Sequence, residues 1–300
     1  MSQKSQKVEF EVNGVRYVVF VDARRSNPNG QGQGENQPRH FDDGTVWASA
    51  ESIKRGIRDT WIAELDGVPG CDVFVYPRRP IVEAIAAARP GRQRFDDAGE
   101  MAAAVRQKYI DARAFGVVLA DGKAESGDDD DGGSKKKSKQ LSIGLRGPVV
   151  VTDADSVEPT PIEEMDISRC CPHKDDNDKD HNQGKKWFVR YGRLRFCVYV
   201  EPHMARQSGF SKEDLGRLED ALKDVYKHRR TASRPDMRTV AVYRLTPREG
   251  MKPSSRAMDE ITDRIQSKRV VPGDVPTEGC YSLPTAEEFC TEQVLVERID

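Results

Sequence analysis

A short, almost wholly apolar segment, Val15 to Asp22 (VRYVVFVD), runs into Asn27-Pro28-Asn29-Gly30 and then into a Gly/Gln/Asn-rich stretch ending at Pro38-Arg39. This junction constrains the fold more than any other part of the chain. An unbroken run of β-branched and aromatic residues suits a central strand covered on both faces. Proline and Asn-Gly then end it in a turn. After the loop, Ser49 to Leu65 read as a helix. Ala50, Ile53, Ile57 and Trp61 fall three or four apart on one side, and Lys54, Arg55 and Arg58 share another. A buried strand, a polar loop and a basic helix start together suit the holding of phosphates.

The remaining periodicities outline a mixed α+β chain. Asp72 to Tyr76 is a short strand candidate and Ala98 to Ile110 a second helix. Phe115 to Leu119 and Leu145 to Thr152 read as strands, separated by residues 121–140 with an Asp block followed by a Lys block. So few apolar residues predict a disordered insertion there, and the two blocks roughly cancel. Pro159 to Trp187 reads as a long polar connection. Leu194 to Val200 alternates, with Leu194, Phe196, Val198 and Val200 on one face. Ser211 with Asp214 approaches a capping box, and Leu215, Leu218, Leu222 and Val225 follow on one side. Lys227, His228, Arg229 and Arg230 suit the negative end of that helix. Thr239 to Leu245, Ser255 to Ser267 and Gln293 to Ile299 read as strand, helix and strand. The order matches a β-α-β-β-α-β ferredoxin-like sheet, a topology shared with RNA-recognition domains.

Length and charge limit the alternatives. At 300 residues the chain can bury a sizeable core, enough for one or two domains. Forty-eight Lys and Arg stand against 50 Asp and Glu. That balance argues against a general nucleic-acid coat and leaves a local basic patch open. No apolar run approaches a bilayer span, and MSQKSQKVEF lacks a signal-peptide core. The six cysteines have no secreted-framework spacing, so a soluble cytoplasmic protein with reduced thiols is expected.

The opening motif, Asp22, Asn27-Pro28-Asn29-Gly30, Pro38-Arg39 and Lys54-Arg55 with Ile57-Arg58, resembles that of the Cas-seven family. This is the repeated backbone subunit of type I CRISPR Cascade complexes, and the likeness is to the type I-C branch in particular. Further segments fit in family order: Asp111 to Gly116, Arg146 to Val149, Ser156 to Pro159, Ile167 to Arg169, Tyr191-Gly192, Gly209 to Ser211, Asp214-Leu215 and His228 to Arg234. The resemblance implies a ferredoxin-like (RRM-like) palm spanning 1–300 with a β-hairpin thumb at 167–191. It implies a non-catalytic protein without cofactor in the prokaryotic cytoplasm, away from membranes. The implied partners are CRISPR guide RNA, target DNA, further copies in a helical filament, and other Cascade subunits (the large subunit and a guide-end cap or processing subunit). Each thumb would cross the guide and flip out one base at intervals.

Candidate RNA-binding residues follow. Lys54, Arg55 and Arg58 would neutralise guide phosphates without reading sequence; the plain alternative is a solvated helix face. Asn27, Asn29 and Gly30, Gly32 and Gly34 would bring backbone amides to phosphate, with Arg24, Arg25 and Arg39 flanking; the alternative is a simple turn. Lys185, Lys186, Trp187 and Arg190 combine cations with an aromatic that can stack on a base; the alternative is a hairpin base with a local Trp cluster. Arg229, Arg230 and Arg234 are either phosphate contacts, subunit contacts or a capped helix end. Arg146 and Arg169 lie within family segments. Cys170, Cys171, His173 and His181 lack the usual Cys-x₂-Cys zinc spacing, and no metal is expected. Two other functions compete: a type III-like backbone subunit that cuts target RNA, with Asp22 or Asp42-Asp43 as the acid, and a monomeric single-strand RNA-binding regulator.

Overall fold

The computed structural model describes residues 14–89, 91, 95–121, 141–168 and 183–300. Its strands are β1 (Val15–Ser26), β2 (Trp47–Ala48), β3 (Gly116–Asp121), β4 (Leu141–Arg146), β5 (Val149–Val151) and β6 (Ala154–Ser156). They continue with β7 (Ile162–Ser168), β8 (Gln183–Val200), β9 (Asp236–Pro247), β10 (Lys268–Arg269), β11 (Tyr281–Ser282) and β12 (Val294–Arg298). The helices are α1 (Ala50–Glu64), α2 (Ile81–Ala87), α3 (Ala98–Lys108), α4 (Ile110–Phe115), α5 (Pro202–Ser208), α6 (Lys212–Lys223) and α7 (Ser255–Arg264). The architecture is α+β. The described chain forms two compact units. One comprises residues 61–150 and 200–217, the other residues 14–60, 151–199 and 218–300.

The second unit is built on an antiparallel sheet of order β12-β9-β1-β8-β6-β2. The position of β1 explains its sequence. It lies between β9 and β8, so Tyr17, Val18, Val19 and Phe20 are all fully buried. A strand covered on both faces needs apolar residues at consecutive positions. Its ladder with β9 runs from Arg16 opposite Leu245 to Arg24 opposite Asp236, with a bulge between Phe20 and Val21. Helix α7 covers one face, adding Met258 and Ile261 to a core with Val18, Phe20, Tyr243, Leu245 and Val296. Ser254 caps this helix, accepting from the Ala257 amide at 3.2 Å.

Strand β7 pairs with the first half of β8, from Ile162 opposite Val189 to Ser168 opposite Gln183. The stretch expected as a polar connection over Pro159 to Trp187 therefore contains two strand arms. Residues 164 to 167 of β7 are all exposed. An arm without a covered face carries no hydrophobic alternation, and its composition imitates a loop.

The first unit packs Phe74, Ile85, Phe95, Met101, Val105, Tyr109, Leu119 and Leu145 into its own core. Asp97 caps α3 by accepting from the Glu100 amide at 2.8 Å. The helix expected to Ile110 breaks at Tyr109, whose backbone is extended, and resumes as α4. The strand expected at Asp72 to Tyr76 is only a single bridge between Asp72 and Tyr109. The Asp111 carboxylate accepts from the Phe74 and Val75 amides at 2.6 and 3.1 Å, taking donors a ladder would need. The segment expected as one strand, Leu145 to Thr152, is divided by Gly147-Pro148 into β4 and β5. The hairpin β3–β4 brackets the expected disordered insertion at 121–140. Asp121 ends β3, bound by Arg89 at 2.6 Å, and residues 122–140 lie outside the described residues. Ser211 and Asp214 form the expected reciprocal cap of α6, at 3.1 and 3.2 Å. That helix ends at Lys223, so Lys227 to Arg229 form a separate 3₁₀ turn and do not close the helix.

Candidate nucleic-acid interface

The loop after β1 is a closed structure held mainly by its own backbone. Gly30 and Pro38 form a bridge, as do His40 and Val46. The amides of Gln31, Gly34, Asn36 and Gln37 all donate to carbonyls within residues 31–37, and the Asn27 amide donates to Ser233. Those donors are engaged inside the protein, so an amide cradle for phosphate does not form at those positions. A Cβ at Gly30 would sit 1.8 Å from the Asn36 side-chain oxygen, so a larger residue there would displace the Asn36 side chain. Asn27 is buried, its side-chain Nδ2 donating to the Asn36 carbonyl at 2.6 Å. Asn29 accepts from the Ser49 amide at 2.9 Å and so ties the loop to the start of α1.

Two of the predicted cations brace this assembly from below. Arg234 donates to the Asn27 and Pro28 carbonyls at 3.1 and 2.9 Å. Arg229 donates to the Ser52 carbonyl at 2.5 Å and lies 3.6 Å from Asp59. Burial, first, lowers the pKa of both guanidiniums, and for Arg234 the charge of Arg229 adds to it. On α1 itself, Arg55 pairs with Asp59 at 2.7 Å. Lys54 and Arg58 are half-buried and make contacts of their own. The basic helix face is thus partly a structural network. Arg39 lies over the Trp47 ring at 5.0 Å, and Trp47 stacks on Phe41 at 5.8 Å. Phe41 is half exposed. This aromatic pair was not singled out from sequence; its signal is the short H-F-D-D-G-T-V-W hairpin, whose bridge brings residues 39, 41 and 47 together.

Strand alternation sorts the hairpin residues into two faces. Met165 stands opposite Lys186 and Glu163 opposite Phe188, so 163, 165, 186, 188 and 190 share one face. With Arg25 and Pro235 they line a groove of about 620 Å³ at the hairpin root. Arg25 reaches it from a left-handed backbone (φ 44°) at the end of β1. Arg190 pairs with Glu163 at 2.6 Å, and Lys186 lies 5.9 Å from the Phe188 ring centre. Lys185 and Trp187 belong to the opposite face, where Lys185 pairs with Glu164 at 2.7 Å. That bond, first, and the carboxylate charge raise the Lys185 pKa. The run Lys185-Lys186-Trp187 is therefore not one site. The aromatic that accompanies Lys186 and Arg190 is Phe188, two residues along from Lys186, as a two-residue period requires.

The remaining predicted residues are dispersed. Arg24 pairs with Glu278 at 2.8 Å on the surface, and Arg230 is exposed after the 3₁₀ turn. Arg146 ends β4 in the other compact unit. Arg169 and the Cys170, Cys171, His173 and His181 group lie outside the described residues. Among the described residues no group of three His, Cys, Asp or Glu is placed to hold a metal ion. Asp22 is held by Tyr191 at 2.6 Å and by Arg193 at 2.7 and 3.0 Å. Burial, then the bond to Asp22, raises the Tyr191 pKa. Arg193 also donates to Ser267 at 3.2 Å and lies over Tyr281. This network joins β1 to the body of β8 just beyond the groove. No helix of the described chain is long and apolar enough to cross a membrane.

Residues 13–277 match the family described as CRISPR-associated protein Cas7. A chain of a solved "CRISPR RNA-guided surveillance complex, pre-nicking" aligns with a TM-score of 0.50 at 14% identity, covering 88% of this chain and 84% of that one. A chain of another "CRISPR RNA-guided surveillance complex" gives 0.47 at 13% identity, over 88% and 78%. No curated protein sequence matches. The first of these structures has the same fold as the present chain.

Proposed function

This chain belongs to the CRISPR-associated Cas7 family, and on that premise we propose that it is a non-catalytic backbone subunit of a type I, I-C-like, CRISPR surveillance complex. Copies polymerise along the spacer part of a guide RNA and present its bases to target DNA, together with a large subunit and a guide-end subunit. The sheet of the larger unit serves as a ferredoxin-like palm, and the β7–β8 arm with its tip serves as the thumb. The observation that carries the reading is the groove at the root of that arm. Arg25, Lys186 and Arg190 there supply charge for phosphates, and Phe188 supplies a face for a base. A guide holder needs such contacts, because they bind backbone and ring without reading sequence.

The arrangement around Asp22 supports a structural role. Both its oxygens are bound by Arg193 and Tyr191, so this acid serves the fold and is not poised to act on a phosphodiester. The test is co-expression with a CRISPR array, its processing nuclease and the large subunit, followed by native mass and nucleic-acid analysis. Particles with several copies per guide, their number rising with spacer length, are expected. A monomer free of RNA under the same conditions sinks the reading. Cleavage of a paired target RNA would move it to the type III-like alternative.

A further inference from the structure

We propose that Glu163 is the residue by which the groove at the hairpin root tells ribose from deoxyribose, by accepting a hydrogen bond from a 2′-hydroxyl of the seated strand. The inference rests on the guide-RNA reading and deepens it. Three of the seven residues lining the groove are the cations Arg25, Lys186 and Arg190. Cations hold phosphates, and phosphates are the same in RNA and DNA. Phe188, Met165 and Pro235 offer apolar and stacking surface, which any base accepts. The three apolar residues do not register the sugar, and the cations, which could donate to a 2′-oxygen, are drawn first to the phosphates that both strands carry.

Glu163 is different in kind. It is the one lining side chain that is a strong acceptor and no donor. It also repels the phosphates that its three cationic neighbours attract, so its presence calls for a donor. Arg190, 2.6 Å away, is one such donor. An ionised carboxylate has about four lone-pair sites, and this side chain keeps 31% of its surface exposed toward solvent. The 2′-hydroxyl is the donor that RNA carries and DNA lacks. The opposite face of the same strand supplies an internal control. Glu164 makes an equivalent ion pair with Lys185, but it does not line the groove.

The experiment is equilibrium binding of the full chain to a fluorescein-labelled single-stranded RNA and to DNA of the same sequence, at one salt concentration. Wild type is expected to prefer RNA. Glu163→Met should lower the RNA-to-DNA affinity ratio by roughly tenfold, the loss of one hydrogen bond to a charged acceptor. Glu163→Gln, which keeps a neutral acceptor in the same shape, should fall between. Glu164→Met should leave the ratio at its wild-type value, because loss of charge alone strengthens both complexes together. An unchanged ratio in both Glu163 variants overturns the proposal, as does an equal fall in Glu164→Met. Wild type that binds RNA and DNA equally overturns the Glu163 assignment alone. Wild type that binds neither overturns the guide-RNA reading beneath it.

Discussion

Arg234 illustrates how a cation in a nucleic-acid-binding pattern can serve the fold first. Its guanidinium reaches two successive carbonyls, of Asn27 and Pro28, from a half-buried position. Only a planar fork with several donors spans such a pair. Arg234→Ala should therefore cost about 2 kcal/mol of stability, for hydrogen bonds from a charged group to partly buried carbonyls. Arg234→Lys should recover little of it. Urea unfolding of the three proteins measures both effects, and full rescue by lysine would contradict the bracing role. Asn27 and Asn29 belong to the same class. Their side chains face the protein, one binding the Asn36 carbonyl and the other the start of α1. In each case the motif residue shapes the surface on which its neighbours act.

Helix α1 carries two separable demands. Its packing face needs Gly56, where a Cβ would lie 2.4 Å from the Val225 carbonyl and 2.9 Å from a Val225 methyl. Alanine is the better helix former by about 1 kcal/mol. Gly56→Ala should nonetheless lower the melting temperature, because overpacking against backbone costs more than the propensity gains; a rise would show that 225 yields. Its other face holds Lys54, Arg55 and Arg58. Replacing all three with Ala should weaken RNA binding alike for every spacer sequence. The salt slope should fall by about 0.7 per lost single-strand phosphate contact, less than for three contacts because Arg55 is partly committed to Asp59. A loss confined to some sequences would contradict phosphate contact.

Elements with at least one covered face were legible in the sequence. The run Val15 to Val21, the α1 stripe Ile53, Ile57 and Trp61, and the Ser211 cap all stand where the pattern placed them. The β7 arm was not, because residues 164 to 167 are all open to water and obey no periodicity of burial. The groove was half legible: Arg25, Lys186 and Arg190 stand out as cations, whereas Phe188, Met165 and Glu163 join them only once β7 and β8 are in register. Nor does sequence spacing announce that Asp22 meets residues 169 and 171 positions away.

At the scale of the whole molecule, charge is organised and not abundant. A net charge of −2 gives no general attraction to a polyanion, so binding must come from local placement. On the proposed function, a single groove of three cations would hold a short stretch of strand, and hold on a long guide would come from repetition. The count of chains on a guide should accordingly rise in whole steps as the spacer lengthens, read by native mass spectrometry. A constant count across spacer lengths would contradict assembly by repetition.

The strict alternation of side chains along the β7–β8 arm also dictates how this protein can diverge. Adding one residue to an arm would carry Glu163 or Phe188 to the side now held by Glu164 and Trp187, since side chains change sides at every position. Indels in the arms are compatible with the groove only in even numbers. Among descendants of this chain the paired arms should therefore keep their phase.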